Sequence, residues 1–158
     1  MRWFDHAFIT GGLSDEEWQD RQDSYAAHLE RIRPLLTNGA DLLLDPMSLH
    51  DGQVAEWSYE PGVVLRVRIL VGDLQRGYEW LTLSYSDATL SGTTEDDLGR
   101  WWPIDELATE IVEEELDIDG ELYEHRMLLW PQGEVGVMFK SLSVERMAAA
   151  PDERRTGE

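Results

Sequence analysis

The chain contains no cysteine. Disulfide frameworks, thiol catalysis and cysteine-based zinc sites are excluded together. Basic residues are scarce. Thirteen Lys and Arg stand against 33 Asp and Glu, for a formal net charge of -20. Such an excess repels phosphate backbones, so no direct nucleic-acid binding is expected. No stretch approaches the roughly 20 apolar residues that span a bilayer. The opening Met1-Arg2-Trp3-Phe4-Asp5-His6 is not followed by a long apolar run. Neither a signal peptide nor a membrane partner is expected, and the sequence reads as cytoplasmic. The phosphate-binding loop, the dinucleotide glycine fingerprint, the nucleophile elbow and the His-Glu-x-x-His zinc motif are also missing. The enzyme classes built on them lose their support, and no cofactor is expected.

What is present suits one globular domain: 158 residues, 42% of them hydrophobic, with seven Trp to anchor a core. Ser14-Asp15-Glu16-Glu17 predicts a capping box at a helix start. Trp18, Tyr25, Leu29 and Ile32 fall on one face of that helix, and Pro34 ends or kinks it. His28 reads as a residue on the helix flank. Residues 40–45 fit a short helix or an extended segment. Beyond Pro46 the pattern turns to alternation. Strands are predicted at 54–60, 63–71, 78–86, 122–130 and 134–144, with a short edge strand at 88–90. Residues 93–99 read as polar loop. A short helix is expected from Ile104 to about Thr109. Residues 111–118 fit both helical spacing and alternation, and strand is preferred because Asp119-Gly120 follows as a hairpin turn. No internal repeat is visible. The expected fold is α+β: an N-terminal helix or helices packed on a mainly antiparallel meander of about six strands. The domain is expected to cover 1–146, with a disordered tail over 147–158.

Four groups of residues carry chemical interest. His50 and Asp51 precede a strand, where Asp51 can orient the imidazole. With His125 they could form an acid–base or metal site. The competing reading is a loop histidine that closes a turn. Arg76 and Tyr78 flank a glycine-bounded connection, where Arg76 could anchor an anion or merely offset local acidity. Trp101 and Trp102 are either a partner-facing aromatic patch or core rings. Residues 105–124 hold ten acids and no Lys or Arg, among them Glu110, Glu113, Glu114, Glu115, Asp117 and Asp119. They form a docking surface or a solvated face. The run Asp117-Ile118-Asp119-Gly120-Glu121 lacks the full calcium-loop ligand pattern, so no metal is expected.

Three segments carry a resemblance. They are Glu17-Trp18 with Ser24-Tyr25-Ala26-Ala27-His28-Leu29-Glu30-Arg31-Ile32, then Leu49-His50-Asp51, then Glu124-His125-Arg126-Met127-Leu128-Leu129-Trp130-Pro131 with Gly133-Glu134. In that order they resemble a group of small bacterial domains of unknown function. The resemblance implies a helical N-terminus on a β-meander, and it lends no catalytic residues. The functional expectation is a non-enzymatic acidic binding protein of immunity or inhibitor type, docking a basic partner such as a toxin nuclease. The alternative is a small-molecule or metal-dependent enzyme using His50, Asp51 and His125. A third possibility is an oligomer subunit with Trp101 and Trp102 at a symmetric contact.

Overall fold

The computed structural model describes residues 1–44, 49–73, 75, 77–100, 109–131, 133–150 and 153. Arg76, Trp101 and Trp102 lie outside the described residues, as does most of the helix expected from Ile104.

A four-residue helix, α1 (His6–Ile9), precedes the main helix α2 (Asp15–Ile32). The capping box forms as expected: Ser14 Oγ accepts from Glu17 N–H, and the Glu17 carboxylate accepts from Ser14 N–H. Pro34 turns the chain into a 3₁₀ turn at Arg33–Leu35, and a second follows at Ala40–Leu43. Trp18 departs from the expected core face. It is 38% exposed and stacks on Phe8 instead. The segment read as polar loop contains a helix, α3 (Glu95–Arg100). Its start was written in Thr94-Glu95-Asp96-Asp97. Thr94 Oγ1 accepts from Asp97 N–H, and Asp97 accepts from Thr94 N–H. An Asp in place of the usual Glu closes the box.

Among the described residues there are eight strands rather than about six: β1 (Gly52–Glu60), β2 (Val64–Asp73), β3 (Gly77–Ser86), β4 (Thr89–Ser91), β5 (Thr109–Asp119), β6 (Leu122–Trp130), β7 (Glu134–Phe139) and β8 (Ser141–Ala148). The count rises because Lys140 breaks the predicted 134–144 strand in two, and the short edge segment forms β4. β8 continues through Ala148, and Ala149 N–H donates to the Tyr78 carbonyl. The boundary expected after residue 146 therefore falls inside β8.

All pairings are antiparallel, in the order β4-β7-β6-β5-β1-β2-β3-β8. β1–β2–β3 and β5–β6–β7 are two meanders. Each receives its fourth strand from the other: β4 follows β3 but pairs with β7, and β8 follows β7 but pairs with β3. Only Asp87-Ala88 and Lys140 make these two crossings. The ends of the sheet must therefore meet, and the sheet curls around one core. Leu65, Val67, Ile69, Leu81, Leu83, Met127, Leu129, Val137 and Phe139 fill it. The inward alternation expected for β2 and β3 is observed.

Asn38-Gly39 closes one end. Leu142 N–H donates to the Asn38 carbonyl, and Gly39 lies at φ 86°. A Cβ at Gly39 would collide with the Leu142 carbonyl. Gly39→Ala is expected to cost about 2–4 kcal/mol, from left-handed strain plus a backbone displacement. Urea denaturation checks this, and a cost under about 0.5 kcal/mol would show that the loop moves freely off β8.

Candidate functional site

The chemistry converges on β5, and a bulge there decides it. The register shifts between Ile111 and Glu113, as does that of β1 between Val54 and Glu56. Without the β5 shift, Leu116 and Ile118 would face outward. With it, Glu114 pairs across from Met127 and Leu116 from His125, on the core side. Glu113, Glu115 and Asp117 then take the outer side.

His125 is fully buried and both ring nitrogens are occupied. Nε2 lies 2.9 Å from Glu114 Oε2, and Nδ1 lies 2.8 Å from the Tyr85 hydroxyl. The protons follow from the partners. A carboxylate accepts, so Nε2 carries the hydrogen and Nδ1 accepts from Tyr85 O–H. Burial pushes the Tyr85 phenol well above its usual range, with the nearby Glu114 acting in the same direction, so Tyr85 remains a donor. Alternation of Tyr123, His125, Met127 and Leu129 was the signal that His125 points inward.

Glu115 faces outward yet is only 3% exposed. Its carboxylate accepts from three successive backbone N–H groups: Arg2 at 2.8 Å, Trp3 at 2.6 Å and Phe4 at 2.8 Å. Trp3, Phe4 and Phe8 form a second buried cluster with Tyr25 packed against it. β5 pairs with β1 only over Thr109–Ile111, so its remaining edge needs cover. Helix α2 supplies it. Tyr25 Oη accepts from Leu116 N–H, and His28 Nε2–H donates to the Leu116 carbonyl at 3.2 Å. His28 is thus buried rather than on the flank. Burial also holds the Tyr25 phenol up.

The acids of 105–124 therefore do not form one surface. Glu114 faces the core, Glu115 holds residues 2–4, and Asp117 Oδ1 lies 3.3 Å from His28 Nε2. Glu110 accepts from Gln53. Burial pushes Glu113 above the usual carboxylate range, while His50 pulls it the other way. Asp119 is exposed at the β5–β6 turn. His50 and Asp51 pair with each other at 3.2 Å on the surface, apart from the buried His125. Among the described residues no group of three or more His, Asp or Glu side chains is placed to hold a metal. Tyr78 is the second residue of β3 and pairs opposite Gly72.

Along β1 beyond its pairing with β5, an open groove of about 300 Å³ is lined by Trp57 and Tyr59 and by Glu95, Leu98 and Gly99 of α3. Among the described residues no helix is long and apolar enough to cross a membrane. No family model, curated protein or solved structure matches the chain, so the site stands on its own geometry.

Proposed function

We propose that the protein is a non-enzymatic binding protein whose acidic surface docks a basic partner, in the manner of an immunity or inhibitor protein. The outer row of α2 carries this reading. Glu16, Asp20 and Asp23 are exposed and share one face, continued by Glu30 beside Arg33. That face lies opposite Tyr25, His28 and Ile32. Arg33 offsets Glu30, but Arg21 pairs with Asp5 and Arg31 bonds His28, so among the described residues no ion pair neutralises Glu16, Asp20 or Asp23. A net charge of -20 speeds encounter with a cationic surface at low salt. His125 is buried between Glu114 and Tyr85, whereas the His50–Asp51 pair is exposed, so docking is preferred to the enzymatic alternative.

The test uses an oligolysine peptide as probe. Its affinity should fall steeply with salt. The triple change Glu16→Gln, Asp20→Asn, Asp23→Asn should weaken it about tenfold, at a few tenths of a kcal/mol or more per exposed charge. The reading fails if that variant binds normally while neutralising Glu56, Glu60 and Glu145 abolishes binding.

A further inference from the structure

We propose that the groove between β1 and α3 binds a small organic cation, a protonated or quaternary amine with an apolar body. This goes beyond the docking reading and holds whether or not α2 meets a partner. The groove follows from the fold. β1 and β5 pair over three residues. Past Val54, β1 runs on beyond the start of β5, and its Trp57 and Tyr59 face α3 across the groove.

The lining then states the ligand chemistry. Trp57 and Tyr59 are half-buried, so ring surface meets the groove. Aromatic faces attract cations through their quadrupole, and Trp does so most strongly. Glu95 adds an exposed carboxylate, and Leu98 adds an apolar contact. The field of a protein at -20 concentrates small cations at its surface and repels anions. A space of about 300 Å³ sits at the small end of ligand pockets, which suits a single ring or a branched alkylammonium. The Trp57 indole N–H is buried and makes no hydrogen bond, an unusual condition for a buried donor. Its resonance is therefore a sensitive reporter of any change in this wall.

The experiment titrates the ¹⁵N-labelled full chain with phenethylammonium, with tetramethylammonium and with neutral phenethyl alcohol. At least one cation should shift the Trp57 indole and Gly99 amide resonances saturably, while the alcohol binds at least about fivefold more weakly. Glu95→Gln should weaken the cation about threefold without changing the thermal midpoint, since the side chain is exposed. Silence from both cations overturns the proposal. So does equal binding of the alcohol, or an unchanged affinity in Glu95→Gln. Shifts of Trp57 caused by oligolysine alone overturn it too, because the occupant is then a partner's side chain.

Discussion

Glu115→Ala is expected to release the first nine residues of the chain and to lower stability by about 3 kcal/mol. Three backbone N–H groups lose one shared acceptor, and each buried donor left unmade costs about 1–3 kcal/mol. The sum is capped, because the segment can undock and return those groups to water. Undocking has its own consequence. Trp3 and Phe4 pack against Tyr25 at ring-centroid distances of 5.1 and 5.0 Å, and Trp3 against His28 at 4.6 Å. Tyr25 and His28 are the two side chains that satisfy Leu116 on the open edge of β5. Loss of the clamp therefore loosens α2 as well. Hydrogen exchange should show lost protection over residues 2–9 and weakened protection in α2. The thermal midpoint should fall by roughly 6–12 °C for a chain of this size. Glu115→Gln keeps one acceptor oxygen and should lie between the two. Unchanged protection at residues 2–9 in Glu115→Ala would sink the idea that this carboxylate holds the segment.

The same carboxylate shows where the sequence misleads. Ten acids in twenty residues look like one charged face. A strand alternates, however, and a one-residue bulge reverses the alternation partway along. Nothing in the composition marks the bulge at Val112. It sends Glu114 inward and leaves Glu115 outward to be covered by residues from the other end of the chain. Such long-range burial has no local signal. The features that were legible are local ones: the Ser14 box, the Pro34 stop, and the inward Leu65, Val67, Ile69 row. Thr94-Glu95-Asp96-Asp97 was equally local and went unread because its box ends in Asp. The exchange of fourth strands between the two meanders is a property of pairing, so short links at 87–88 and 140 were its only trace. His125 drew attention beside His50 and Asp51, whereas its hydrogen bonds go to Tyr85 and Glu114. Its partners Tyr85 and Glu114 lie 40 and 11 residues away, on other strands.

That trio supplies the second large effect. His125→Ala should cost about 3–5 kcal/mol, combining a core cavity with an orphaned Tyr85 hydroxyl. Tyr85→Phe removes only the donor to Nδ1 and should cost about 1–3 kcal/mol. The discriminating case is the double variant Tyr85→Phe with His125→Leu. It leaves no unpaired polar atom between the two side chains. Glu114 loses its partner, but its side chain is 26% exposed and can recruit water. The double variant should therefore fall short of the sum of Tyr85→Phe and His125→Leu by about 1–2 kcal/mol. Urea titration at constant m-value reads this directly. Strict additivity would mean that Tyr85 and His125 act as independent core residues. A coupling of the expected size instead makes Tyr85 and His125 one hydrogen-bonded unit tying β3 to β6. These strands belong to the two different meanders, whose backbones are also joined by the β1–β5 pairing and the two exchanged strands.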